Sequence, residues 1–299
     1  MLATCLIGSL LVSSGIASAS FGPTAWTDLK TTWSAAPFKG FIPVPTSLSD
    51  AKSRGWDEML TCAKDSRVGY LYAENEDISS MPFYNSNGQI YGIILGMTDP
   101  GQSSEIPPFN SYTLSNGTAF WGVQAYFRDP AYVCSDTSVS TNEKIGDRLW
   151  FRVGDNFCLF LLGPNSFYEV PLVENSTTLD NDGWLMGGCF VGMGMHYWRY
   201  VSVDMDCNTV YPIFLLYTEQ KLTAWGIAMA HDDRPYCTLF FFLLLFKRWE
   251  HPGGDSLKFF FQEGDMPTCL PNQGTLSTQH VYLGNPLWYN CLGDFQKIF

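Results

Sequence analysis

Two stretches of this chain repeat the same uncommon landmarks in the same order. Gly55-Trp56 is followed by Cys62, and Gly183-Trp184 is followed by Cys189. At an offset of 130, Tyr70 then meets Tyr200, Glu74 meets Asp204, Glu76 meets Asp206 and Pro82 meets Pro212. Similar apolar runs come next, starting at Gln89 and Lys221. Tyr126-Phe127 before Cys134 matches Phe260-Phe261 before Cys269, and Gly154 before Cys158 matches Gly284 before Cys291. A period this long is no solenoid repeat. It suits two similar halves packed as a duplicated barrel or sandwich.

The local pattern is mainly β. Runs over 89–97, 119–128, 148–153, 158–162, 210–217, 222–229, 238–247, 257–262 and 279–283 are rich in aromatic and β-branched residues and bounded by turn formers. Helices are few and short: 48–64 is one candidate, capped by Ser49 or Asp50, and 24–33 a second. The division this implies is a signal peptide (1–19), an N-terminal segment (20–54), a first β-rich half (55–174) and a second (183–299), with the junction at 174–182.

The leader reading rests on the apolar run Leu6 to Val12 followed by Ala17-Ser18-Ala19, a small-x-small cleavage pattern. It is too short and too rich in Ser and Gly for a membrane anchor. Beyond Cys5 the chain keeps eight cysteines: Cys62, Cys134, Cys158, Cys189, Cys207, Cys237, Cys269 and Cys291. None is spaced as CxxC, so bridges in an oxidising compartment are expected rather than a zinc ribbon. The expected pairs are Cys134–Cys158, Cys269–Cys291, Cys207–Cys237 and, joining the halves, Cys62–Cys189. Asn116 and Asn175 lead sequons in turn-rich stretches and are expected to carry glycans. The protein is therefore expected to be secreted.

A net charge of −12 opposes binding to nucleic acid or anionic lipid. No nucleophile elbow, P-loop or dinucleotide fingerprint occurs, and no cofactor can be named from the sequence. The run Met195-His196-Tyr197-Trp198, then Asp204-Met205-Asp206-Cys207, then Pro212 to Tyr217, then Leu276 to His280, resembles uncharacterised secreted proteins of marine invertebrates. That resemblance covers only the second half, and it implies secretion and no particular activity.

All four histidines, His196, His231, His251 and His280, lie in the second half. If the halves are copies, one of them gained imidazoles. A mixed N/O metal site from His196, Asp204, Asp206 and His231 is conceivable; a turn before proline is the plainer reading of the two aspartates. Aromatic residues reach 16%. Most belong to β packing, and Tyr197, Trp198, Tyr217 and Trp225 are candidate walls of a ligand cavity. The sequence thus points first to a secreted, disulfide-bonded glycoprotein that binds a small hydrophobic or aromatic molecule. The alternative is a secreted enzyme using His196 or His280 as base or ligand, including a cofactor-independent oxygenase of luciferase type.

Overall fold

The computed structural model describes residues 26–33, 40–98, 108–135, 144–153, 167–229, 249–274, 276–289 and 291. In chain order, β1 (Lys30–Thr31), β2 (Ile42–Pro43) and α1 (Leu48–Ser53) precede β3 (Asp57–Leu60), β4 (Tyr70–Ala73), β5 (Met81–Tyr84), β6 (Ile90–Met97), β7 (Phe109–Thr113) and β8 (Ala119–Tyr126). Then come β9 (Trp150–Arg152), β10 (Phe167–Glu169), α2 (Ser176–Asn181), β11 (Trp184–Phe190), β12 (Gly194–Arg199), β13 (Ile213–Thr218), β14 (Lys221–Met229), α3 (Gly254–Leu257) and β15 (Ser277–Tyr282).

These strands form two antiparallel sheets. One has the order β10-β9-β8-β6-β5-β4-β3, with β7 also on β8; the other runs β11-β12-β13-β14-β15-β1-β2. Their facing sides share one core that takes side chains from both sheets, including Tyr84, Ile93, Phe151, Tyr217 and Trp225. Phe151 and Trp225 meet edge to face across it at 4.9 Å, a geometry worth about 0.5–1.5 kcal/mol beyond burial. Each sheet also carries a second apolar cluster on its outer side. Burial on both faces explains why β6, β13 and β15 show no polar alternation in their burial.

The same order of elements occurs twice: two short strands, a capped helix, then a meander. The Val44 N–H donates to the Leu29 carbonyl (2.9 Å) as that of Val170 donates to Leu149 (2.8 Å). The buried hydroxyls of Tyr84 and Tyr217 donate to the carbonyls of Pro45 and Pro171. Ser47 caps α1 and Asn175 caps α2 through their side-chain oxygens. Both helices stop at a glycine with positive φ, Gly55 and Gly183, directly before the Trp. That stop is why α1 covers only 48–53 of the expected 48–64. Phe127 bonds to Tyr91 as Leu283 does to Thr223, and Asp129 and Asn285 each cap a 3₁₀ turn that opens with proline.

Laid out this way, the recurring order of elements starts at β1 and again at β9, ahead of 174–182. The first pass runs from Leu29 to Cys134 and the second from Leu149 to Cys291. The leading strand pair of each pass joins the other pass's sheet: β1 pairs with β15, and β9 pairs with β8. The chain does cross from the first sheet to the second at α2, within the expected junction.

Three bridges close among the described residues: Cys62–Cys134, Cys189–Cys291 and Cys207–Cys269. All four expected pairings that involve Cys62, Cys134, Cys189, Cys207, Cys269 or Cys291 are thereby corrected. Cys158 and Cys237 lie outside the described residues. Strand pairing alone does not explain these bridges, since β3 and β8, like β11 and β15, stand four places apart in their sheets; the segments after β8 and β15 return to the first strand of each meander, Val133 lying against Gly69 and Tyr289 accepting from the Gly192 N–H, so Cys62 and Cys189 each close on a cysteine far along the chain.

Other expectations change for equally local reasons. The stretch 257–262 is not a strand: α3 ends at Leu257 and a 3₁₀ turn covers Lys258–Phe260. Tyr126-Phe127 therefore corresponds to Tyr282-Leu283, not to Phe260-Phe261. The candidate helix at 24–33 contains β1 instead. The leader (1–19), Cys5 and the expected strands at 158–162 and 238–247 lie outside the described residues. Among those residues no helix is long and apolar enough to cross a membrane.

Candidate functional site

On the outer side of β11 to β15, residues 249–274 of the connection from β14 to β15 fold back as a cover. Between the covered sheet and this layer lies a cavity of about 560 Å³, within the range of small-molecule sites. The cover is held in three ways. Cys207–Cys269 ties it to the turn after β12. The Trp198 indole N–H donates to the Phe260 carbonyl at 2.8 Å while its ring stacks on Phe261 at 4.9 Å. The Gln262 amide donates to the Gly187 carbonyl. Close approach is possible because β11 carries Gly187-Gly188 here: a Cβ on Gly188 would sit 2.2 Å from the Phe259 carbonyl oxygen.

Strand periodicity decides which side chains reach the cavity. On β12, His196 and Trp198 point outward and line it, whereas Met195 and Tyr197 belong to the core between the sheets. Tyr217 and Trp225 are also core residues, and the Tyr197 hydroxyl is bonded to Glu174. Of the four expected wall residues, only Trp198 is one. Phe214, Phe260 and Phe261 were missed, although Phe214 could have been found by counting alternate residues on β13.

Three of the four histidines meet at this cavity: His196, His251 and His280 all line it. His231 lies outside the described residues. His196 and His280 flank the Phe214 ring at 5.9 and 5.0 Å. His196 is buried, stacked on Trp198, and its Nδ1 lies 2.9 Å from the Gly188 carbonyl, to which it donates. Burial, aided by the nearby His280 ring, drives its pKa down to about 3 against the opposing pull of backbone carbonyls at Gly188 and Gly194. His196 is thus a neutral ring at ordinary pH. His251 is exposed at the rim, with Nδ1 3.3 Å from the Leu276 carbonyl.

His280, on β15, is different. Its Nδ1 lies 2.7 Å from one Glu250 carboxylate oxygen and 2.9 Å from the other. Glu250 also accepts from the Trp33 backbone N–H (2.6 Å) and the Thr278 hydroxyl (3.2 Å). These three donors suit a carboxylate and fix the imidazole with its proton on Nδ1. The other nitrogen, Nε2, is buried and has no partner among the described residues. Glu250 was not among the expected site residues; it lies just past the sequence's longest apolar run, 239–246, with no motif around it.

The first sheet shows what this position does without a cavity. Matching β8 to β15 through their Phe127 and Leu283 bonds puts Gln124 at the place of His280. Gln124 accepts from the Tyr112 hydroxyl of β7 and donates to the Arg67 carbonyl. Matching β3–β4 to β11–β12 puts Leu71 at the place of His196. In the first sheet β7 pairs along β8 and Gln124 is bonded; in the second, only the isolated bridge Glu250–Thr278 stands at that place among the described residues, and an imidazole nitrogen is left unmet.

Of the expected metal set, His196, Asp204 and Asp206 do not group among the described residues, and His231 lies outside them. Asp204 and Asp206 are exposed in the turn after β12. Asp206 is engaged as a cap, its Oδ1 accepting from the Asn208 backbone and side chain at 3.0 Å. Among the described residues no three His, Cys, Asp or Glu side chains group as a metal site. Asn116 and Asn175 are both exposed, in the β7–β8 turn and at the α2 cap. Comparison with protein-family models, curated proteins and solved structures gives no match.

Proposed function

We propose that this is a secreted glycoprotein that holds a small hydrophobic or aromatic molecule in the cavity over β12 to β15. The observation that carries the reading is His280 Nε2, an unpartnered buried acceptor in an otherwise largely apolar wall. Leaving such a group unpaired costs about 1–3 kcal/mol, which a bound donor would recover. The flat faces of His196, Trp198 and Phe214 suit a planar ring. Secretion is supported by the three bridges and the leader-like N-terminus, and glycosylation by the exposure of Asn116 and Asn175. The likeness of the two passes supports their origin by duplication, with one outer face opened for the ligand.

The test is a thermal-shift and tryptophan-fluorescence panel of aromatic and lipid-like molecules. At ligand one hundred times its Kd, stabilisation of about 2.7 kcal/mol is expected. A panel without a single stabilising compound removes the proposal.

A further inference from the structure

The site described above is asymmetric in a way that plain hydrophobic binding does not require. His280 has a carboxylate on one nitrogen and nothing on the other. We propose that the Glu250–His280 pair takes a proton from its ligand, so that the cavity selects a weakly acidic aromatic compound, a phenol, an enol or an N–H heterocycle, and binds it as the conjugate base. This deepens the binding proposal and rests on it.

The proton step balances without a further reactant. The ligand's O–H or N–H bond breaks, its electron pair stays on the ligand, and a new N–H bond forms at Nε2. The imidazolium produced already has Glu250 against Nδ1, so the transferred charge is neutralised in place. The anion left behind remains beside that imidazolium. Among the described residues the titratable side chains lining the cavity are Glu250, His196, His251 and His280. His196 is neutral and committed to Gly188, and His251 stands exposed at the rim. Only His280 combines a bare nitrogen with a carboxylate behind it. Trp33 and Thr278 hold that carboxylate in the orientation the pair needs. The equivalent Gln124 in the first sheet has neither a free nitrogen nor a carboxylate neighbour among its bonds.

The experiment uses the full mature chain and a set of nitrophenols, whose ionised forms absorb at longer wavelength than their neutral forms, with the matching nitroanisoles as controls that have no proton to give. It is run one pH unit below each phenol's own pKa, where about one-tenth of the free phenol is ionised. The bound phenol is expected to be more than half ionised and to bind at least tenfold tighter than its methyl ether. Glu250→Gln should return the bound spectrum toward that of free phenol while retaining affinity for the ether, and His280→Gln should remove the ionised band. Wild-type protein that binds phenol and ether alike, with the bound phenol no more ionised than the free, overturns the proton transfer and leaves the binding proposal standing. Protein that binds neither overturns both.

Discussion

His196 and His280 stand on one face with two strands between them, yet their surroundings drive them to opposite uses. His196 has surrendered its charge to burial, and this has a consequence for acid stability. Its folded pKa, about 3, lies below the unfolded value of 6.5. Its neutral form therefore costs nothing above pH 6.5, and stability is lost as pH falls from there toward 3. At pH 5 the loss is about 2 kcal/mol. His196→Leu, which copies Leu71, should remove that acid-specific loss. Urea unfolding of both proteins at pH 7.5 and pH 5 checks it: the wild type should drop further than the variant, and equal drops would contradict the assignment. The histidines' association with the second half was legible from the sequence alone. Their partner Glu250 was not, because Glu250 and His280 pair across an isolated bridge, Glu250 with Thr278, and no spacing encodes such a contact. Tyr197, Tyr217 and Trp225 were misplaced because the aromatic content of a strand says nothing about its facing until the register is known.

At the scale of elements, the cover over the cavity is the part whose sequence misleads. Leu257 to Gln262 has the composition of a strand, and Phe259-Phe260-Phe261 reinforces it. It turns instead because it lies across the face of β11, not along an edge, where no ladder is on offer, and two of its carbonyls are taken up by Trp198 and the glycine approach. The long strands β6, β8, β13, β14 and β15 were legible to within a few residues from their aromatic and β-branched content. The short ones, β3, β4, β5 and β10, were not, since two to four residues carry little periodicity. The glycine approach can be tested directly. Gly188→Ala would drive a methyl group into the Phe259 backbone. We expect destabilisation of about 1–3 kcal/mol together with at least tenfold weaker ligand binding, read by denaturant titration and by the fluorescence assay. By contrast, Trp198→Phe keeps the stack on Phe261 but removes the bond to Phe260, and should cost about 1 kcal/mol with a smaller effect on affinity.

For the whole molecule, the recurring Gly-Trp and Cys landmarks foretold two similar β halves, and two sheets are what the chain builds. The register of that recurrence held at Gly55 and Gly183 and again at Gln89 and Lys221, but it slipped from Tyr70 to Pro82, where Leu71 matches His196 and Tyr84 matches Tyr217, and it failed from Tyr126 on, because an alignment by eye drifts across unequal connections and β14 and β15 are joined by a longer one. Cysteine pairing went wrong with it. Of the three bridges, Cys62–Cys134 and Cys189–Cys291 occupy equivalent places, while Cys207–Cys269 has no described counterpart and serves the cover. Replacing Cys207 and Cys269 together with Ser should cost roughly 2–4 kcal/mol and lower affinity for the aromatic panel, with far-ultraviolet circular dichroism unchanged. Removing Cys62 and Cys134 instead should lower stability to a similar degree and leave affinity intact; a loss of binding there would show that the two sheets are coupled more tightly than this assignment allows.

The pairing of β1 with β15 has one more outcome. Glu250 is steadied by the backbone of Trp33, two residues beyond β1, so residues near 30 and residues near 280 must both be present before the imidazole is poised. During synthesis the early strands emerge long before their partner and wait as an unpaired edge, exposed to any other chain that offers one. A nascent protein stalled short of residue 277 would carry both a sticky margin and an unfinished pocket, so completion of the chain, rather than local propensity, closes this fold.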